Sequence, residues 1–374
     1  MNRRRVLVVD DEPGMVHALR RILERSCELV CCAHANEALA VVDGFEPELA
    51  LLDVRLPHSD GFELMRRLKK KLPGLDVILM TGSLTDIDSK LIRSLREEAF
   101  FFLQKPFDRE LLLTLLERWQ ERRQLAADNR DYVARLEEEL RQARAFQQRM
   151  LPGATRTCGG VALRGRYLPC DSLGGDFYDW AEPLPGVAVL LVADVAGHGV
   201  AAAMLTGFVK SAFHAAHVDG YAPASVAARV RDGLRGLDEG SFVTLLCARV
   251  DPTAGRLDYV SCGHPYGVLV RPTDVVPLEG TGPLLSPAFP DVDCGVASLV
   301  WNAHDRLVLW TDGIEEAADV GGALFGRDRL LRCLAGAADG VLDLIETEVR
   351  TFVGQRPLRD DCTLVLAAGG VELA

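Results

Sequence analysis

LLLTLLERWQERRQLAADNRDYVARLEEELRQARAFQQRMLP, residues 111–152, is the stretch that decides how the chain is organised. It holds no Gly or Pro before Pro152 and is rich in Leu, Ala, Glu, Gln and Arg, residues that lose little on entering a helix. The spacing predicts one long helix. With heptad position a at Leu112, the a residues are Leu112, Trp119, Ala126, Val133, Leu140 and Gln147, and the d residues are Leu115, Arg122, Asn129, Leu136, Ala143 and Met150. Nine of these twelve are apolar, an imperfect coiled-coil seam broken by Arg122, Asn129 and Gln147. A homodimer through this helix is expected, its weak points suited to a pairing that changes; a helix lying alone against its own domains is the alternative.

Working outward, 374 residues exceed one ordinary core, so two domains and a connector are expected: 1–107, 108–152 and 153–374. Residues 1–5 run straight into a strand-like 6–9, without the pattern of an export signal. The longest apolar stretch, 186–205, is interrupted by Asp194 and His198, so no membrane span is expected and the location is expected to be cytoplasmic. Ten scattered cysteines form no C-x-x-C pair and read as reduced, buried small residues. The net charge of −12 is concentrated at the C-terminal end, where 153–374 holds 17 basic against 28 acidic groups. That balance argues against a nucleic-acid face and leaves clustered acids available for cations.

In 1–107, apolar runs at 6–9, 29–33, 49–52, 77–80 and 100–103 alternate with amphipathic stretches at 15–23, 36–42, 61–68, 87–95 and from about 109. Five strand and helix repeats predict a doubly wound parallel α/β sheet, whose ligands gather at the C-terminal strand ends. Those ends carry Asp10, Asp11 and Glu12, then Asp53, Thr81, and Lys105 with Pro106. Crowded carboxylates repel unless a cation sits among them, and hard oxygen ligands suit Mg2+. Between such a cation and Lys105, Asp53 can attack a phosphoryl group and become an acyl phosphate, with Thr81 and Lys105 on the new oxygens.

The segment resembles a response-regulator receiver domain through Val-Val-Asp-Asp-Glu (8–12), Leu-Asp-Val-Arg-Leu-Pro (52–57) with Gly61, Met-Thr-Gly (80–82) and Lys-Pro-Phe (105–107). The resemblance implies that Asp53 accepts phosphate from a sensor histidine kinase. It also implies that Asp10, Asp11 and Asp53 hold Mg2+, and that Thr81 and Phe102 form a switch pair.

In 153–374, strand-like runs at 161–167, 188–195, 243–250, 257–261, 268–271, 296–301, 307–311 and 362–367 mix with helical patterns at 201–216, 224–237, 327–335 and 341–353. Two antiparallel-rich sheets between helix pairs, an α/β/β/α sandwich, are expected. Acids stand where strands end, in Gly174-Gly-Asp-Phe-Tyr-Asp179, Asp194-Val-Ala-Gly-His-Gly199, Thr311-Asp-Gly313 and Arg359-Asp-Asp-Cys-Thr363. Carboxylates from several strand ends can hold two divalent cations, which activate water toward a phosphate ester. No P-loop pattern is present.

These motifs are similar to the metal-dependent protein phosphatase (PPM) family, in its SpoIIE-type branch. Ser261-Cys-Gly-His-Pro265, Gly282-Pro-Leu284, Glu315-Ala317 and Phe325-Gly326 follow in the family's order. The resemblance implies that Asp176, Asp194, Asp312 and Asp360, the Val195 carbonyl and the neighbouring Asp361 bind two Mn2+ or Mg2+. It implies hydrolysis of phosphoserine or phosphothreonine on an anti-sigma factor antagonist. Ala196 stands where Ser is more usual, and Ser286 where Gly is usual; neither is a ligand. His198 and His264 are read as structural before substrate-binding. The expectation is a phosphatase under receiver control; the alternative is a phosphatase-like adaptor that grips a partner.

Overall fold

The computed structural model describes residues 3–370 other than 58, 83–98, 159, 172, 198, 239, 265, 266 and 337–339. It divides into two compact units, Met1–Asp131 and Tyr132–Ala374. The first contains β1 (Arg4–Val9), α1 (Pro13–Leu23), β2 (Cys27–Cys32), α2 (Ala35–Phe45) and β3 (Leu49–Asp53). A short ribbon, β4 (Arg55–Leu56) with β5 (Ser59–Asp60), leads to α3 (Gly61–Lys71), β6 (Asp76–Thr81), β7 (Phe101–Gln104) and the start of α4 (Arg109–Met150). Pro13 lies in the first turn of α1, where its missing N–H costs nothing, and the Asp60 side chain caps α3 through the Phe62 amide. The helix expected at 87–95 lies outside the described residues.

The parallel sheet has the order β2-β1-β3-β6-β7, a doubly wound arrangement. Alternation along each strand sends Leu7, Val9, Ala50, Leu52, Val77 and Leu79 toward α2 and α3. Val6, Val8, Leu49, Leu51, Ile78 and Met80 face α1 and the start of α4 instead. Because both faces are covered, these strands are continuous apolar runs, which is how they were legible.

The second unit contains β8 (Thr155–Cys158), β9 (Val161–Leu168), β10 (Asp176–Ala181), β11 (Ala188–Val195), α5 (Val200–Ala215), α6 (Pro223–Leu234), β12 (Val243–Asp251) and β13 (Arg256–Cys262). There follow β14 (Val268–Val270), β15 (Val275–Pro277), β16 (Ala297–Val300), β17 (Arg306–Trp310), α7 (Asp312–Glu316), α8 (Arg327–Gly336), α9 (Val341–Val353) and β18 (Cys362–Gly369). Two antiparallel sheets, β10-β11-β12-β13-β16 and β15-β14-β17-β18-β9-β8, pack face to face through Trp180, Leu190, Val192, Leu246, Leu309 and Val365. The outer face of the first is covered by α5 and α6 through Val209, Phe213 and Val230. The outer face of the second is covered by α8 and α9 through Leu330, Ile345 and Val349. This is the expected four-layer sandwich.

Strand β10 did not show as an apolar run because its two faces carry Phe177 and Asp179 on one side and Tyr178 and Trp180 on the other. Asp179 is nevertheless buried, where it accepts Lys210 Nζ at 2.7 Å and faces His214 Nε2 at 2.9 Å. The reading of ten reduced cysteines fails at one pair, since Cys262 and Cys294 form a disulfide across a separation of 32 residues. That separation carries no spacing signal. Cys31, Cys170 and Cys333 are half-buried rather than buried.

Helix α4 runs unbroken over 42 residues, but its seam positions serve different purposes. Leu112, Leu115 and Trp119 are buried in the first unit's core. Arg122 stacks on the Phe100 ring at 5.1 Å, so it is engaged rather than merely a flaw. Gln147 is buried and bonded inside the second unit, which corrects its reading as a weak point of the seam. Leu125, Tyr132, Val133 and Leu136 remain exposed along the middle. Among the described residues no helix is long and apolar enough to cross a membrane.

Trp119 is fully buried and its indole N–H donates to Asp76 Oδ2 at 2.9 Å, anchoring α4 on the first unit. Trp119→Ala is expected to destabilise the first unit by about 3–5 kcal/mol in urea denaturation followed by circular dichroism.

Candidate functional site

In the first unit the structure brings Asp10, Asp11, Asp53 and Lys105 together. Asp10 is fully buried just beyond β1; its Oδ1 accepts the Glu12 amide at 3.0 Å and its Oδ2 accepts Lys105 Nζ at 2.7 Å. Lys105 also donates to Asp53 Oδ2 at 2.8 Å, while Asp53 Oδ1 accepts the Arg55 amide at 3.3 Å. One ammonium therefore bridges two buried carboxylates. Burial raises the Asp10 pKa against the pull of Lys105. Burial opposes the Lys105 charge, but its bonds to Asp10 and Asp53 outweigh that and raise its pKa, so it stays charged.

Asp11 is exposed, and each of Asp10, Asp11 and Asp53 offers an oxygen within 4.8 Å of the others. This hard, all-oxygen set fits Mg2+. Thr81 ends β6, its carbonyl accepting the Lys105 amide at 2.7 Å, and Lys105–Pro106 is a cis peptide. Phe102 lies half-buried on β7, its ring 6.4 Å from that of Phe62.

In the second unit antiparallel pairing brings strand beginnings and strand ends to one edge. Asp176 opens β10 and sits opposite Asp194, which lies near the end of β11. Asp312 opens α7 directly after β17, and Asp360 and Asp361 precede β18, which pairs with β17. Gly313 is required there, because a Cβ would strike the Asp361 carbonyl. The expectation that the acids stand where strands end describes Asp194 and Asp312 but not the others: Asp176 opens β10, and Asp360 and Asp361 immediately precede β18.

Asp176 is buried with its Oδ2 accepting the Thr311 and Thr363 hydroxyls, each at 2.6 Å. Asp361 accepts the Cys170 amide at 2.9 Å on Oδ1 and the Gly175 amide at 2.8 Å on Oδ2, and so braces the turn that leads into Asp176. Val195 is buried, its amide donating to the Gly175 carbonyl at 3.1 Å. Thr311 and Thr363 belonged to motifs quoted from the sequence, yet their hydroxyl role was missed; nothing in spacing announces which Thr turns inward.

Electrostatics show what this crowding costs. Burial, then the charge of Asp194, pushes the Asp176 carboxyl well above its usual range. Burial, then Asp312, Asp360 and Asp361, pushes Asp194 up to about 7. Asp312 is raised by burial and by Glu316. Asp194 thus acts on Asp176, and Asp312, Asp360 and Asp361 act on Asp194; repulsion of this kind is what a divalent cation relieves, so these oxygen donors fit Mg2+ or Mn2+. Cys170 Sγ lies within 4.8 Å of Asp360 and Asp361 oxygens, a thiol that was not foreseen at this site. Burial, then Asp361, pushes it up to about 12.

His264 is buried between the Thr244 hydroxyl, 2.9 Å from Nδ1, and the Trp310 carbonyl, 3.0 Å from Nε2. Burial lowers its pKa to about 4, so the ring is neutral, donates from Nε2 and accepts from Thr244. It braces the strand that delivers Thr311 and Asp312, a structural role. His198 lies outside the described residues.

Comparison with known proteins agrees with both halves. Residues 6–117 match the response regulator receiver domain, and residues 185–368 match stage II sporulation protein E (SpoIIE). Protein IcfG of Synechocystis sp. is 26% identical over 273 residues, 64% of this chain and 43% of that protein. The DNA-binding transcriptional regulator NtrC of Proteus hauseri is 36% identical over 120 residues, 32% of this chain and 25% of that protein. The chain thus spans less than half the length of these curated relatives.

Among solved structures, the SiaA PP2C domain of Pseudomonas aeruginosa shares the fold with a TM-score of 0.57 at 23% identity, covering 63% of this chain and 98% of that one. The RsbU and RsbW domains of a Mycobacterium tuberculosis protein give 0.50 at 25% identity, covering 59% and 63%. The chain therefore carries a response regulator receiver domain, residues 6–117, and a SpoIIE-type phosphatase domain of the PPM family, residues 185–368.

Proposed function

We propose that this chain is a two-component response regulator whose output is metal-dependent dephosphorylation of phosphoserine or phosphothreonine on a protein. The acidic cluster carries this reading: at one edge of two antiparallel sheets Asp194 raises the pKa of Asp176, and Asp312, Asp360 and Asp361 raise that of Asp194. Asp176, Asp194, Asp312, Asp360 and the Val195 carbonyl, with Asp361 beside them, are the groups to hold two Mn2+ or Mg2+. When bound, such cations supply Lewis-acid activation of water and of the phosphoryl group. The protein's own part is to hold this edge still: Thr311 and Thr363 fix Asp176, Asp361 fixes the turn before it, and neutral His264 fixes β17. No side-chain nucleophile is needed.

In the receiver, Asp53 is the phosphate acceptor, with a sensor histidine kinase as donor and Mg2+ held with Asp10 and Asp11. Lys105 already bonds Asp53 and is placed to neutralise the incoming phosphoryl oxygens, with Thr81 and Phe102 as the switch pair. The substrate is an anti-sigma factor antagonist. Exposed Leu125, Tyr132, Val133 and Leu136 support a homodimer through the linker, residues 108–152, between the receiver, 1–107, and the phosphatase domain, 153–374. The site of action is cytoplasmic, with neither nucleic acid nor membrane as partner.

Turnover of a phosphoserine protein in Mn2+ is expected to vanish in Asp194→Ala and in Asp312→Ala. It should change with beryllofluoride in the native chain but not in Asp53→Ala. Wild-type turnover in both acid variants would rule out the cluster as the catalytic centre, and an adaptor would then be the better reading.

The buried His264 also sets an acid limit. Its folded pKa of about 4 lies below the unfolded value of 6.5, so its share of stability is full above pH 6.5 and is lost as the pH falls toward 4. That loss is on the order of 3 kcal/mol. Urea midpoints measured from pH 7 to pH 4 should fall more steeply in the native protein than in His264→Gln.

A further inference from the structure

We infer that Gln147, in the last turn of α4, is a positioning residue of the second unit's metal site; this rests on the phosphatase reading above. Its side chain is buried, only 6% exposed, and both ends of its amide are bonded to one backbone residue. Nε2 donates to the Gly174 carbonyl at 2.7 Å, and Oε1 accepts the Gly174 amide at 3.2 Å. The second Nε2 hydrogen reaches the Thr206 hydroxyl at 3.3 Å, which itself donates to the Ala203 carbonyl at 2.7 Å and so is free to accept. A flipped amide would set its NH2 against the Gly174 N–H, so the pattern admits one orientation.

The turn that Gln147 holds has no slack. A Cβ on Gly174 would run into the Asp361 carboxylate and the Tyr167 hydroxyl. The next residue, Gly175, donates to Asp361 at 2.8 Å and accepts the Val195 amide at 3.1 Å. The residue after that is Asp176. One side chain from the helix therefore fixes Gly174, the first of two glycines in the turn that sets Asp176, Asp361 and Val195 against each other. Replacing its amide by an apolar group of similar size leaves a buried N–H and C=O of Gly174 without partners, and the turn must move to find others. Groups of this kind, which orient a metal's ligands without touching the metal, typically change metal affinity or activity by about 10–100-fold when removed.

The test uses the full-length chain with Mn2+ and p-nitrophenyl phosphate, a small phosphate ester whose turnover needs no docking of a second protein. Gln147→Leu should weaken Mn2+ binding by calorimetry about tenfold or more and lower kcat by a similar factor, with KM unchanged. Gln147→Glu, which keeps the acceptor for the Gly174 N–H but loses the donor to its carbonyl, should show the same losses and decides the matter if Gln147→Leu does not fold. Native Mn2+ affinity and kcat in the folded variants would overturn the inference. Asp312→Ala separates the two levels. If it binds Mn2+ and turns over like the native chain, the phosphatase reading itself is wrong; if it alone is impaired, only the role of Gln147 is wrong.

Discussion

Repulsion among crowded, partly desolvated carboxylates is the constraint on which the second unit turns. Asp176, Asp194 and Asp312 each lose hydration on burial and feel another acid nearby, which is why all three are driven up in pKa. A fold can keep such an edge only by holding it with neutral donors and by leaving it a cation to bind. The donors here are two Thr hydroxyls on Asp176 and two backbone amides on Asp361. The sandwich behind them, apolar on both faces of both sheets, supplies the rigidity.

The receiver solves the same problem differently. There a single ammonium, Lys105, spans Asp10 and Asp53, so part of the repulsion is cancelled within the protein. This leaves Asp53 bonded to a cationic group. The two acidic clusters thus differ: an ammonium spans two carboxylates in one, whereas Asp176 and Asp361 in the other are held by hydroxyls and backbone amides. A long helix, anchored by Trp119 in one unit and by Gln147 in the other, is the covalent route between them.

Much of this was legible in the chain. The parallel strands of the first unit read as apolar runs because both faces are buried, and the acids stood out because each interrupts such a run. Strand β10 was not legible, since Asp179 is buried inside it against Lys210 and His214, and a buried ion pair looks like a surface charge in one dimension. Gln147 was misread for a related reason: a polar residue on an apolar heptad position looks like a defect unless its partner, Gly174, is known to lie beside it. The Cys262–Cys294 pair and the Cys170 thiol near Asp360 depend on loops meeting in space, which spacing along the chain does not encode.

The central claim is that the two acidic clusters are cation sites of different kinds, and the number of ions bound tests it most directly. Equilibrium dialysis of the full-length chain against Mn2+ at neutral pH should reach three ions per chain, one in the receiver and two in the phosphatase domain. Asp194→Ala should reduce the count while leaving the receiver's ion in place. A native chain that binds one ion or none would contradict the account.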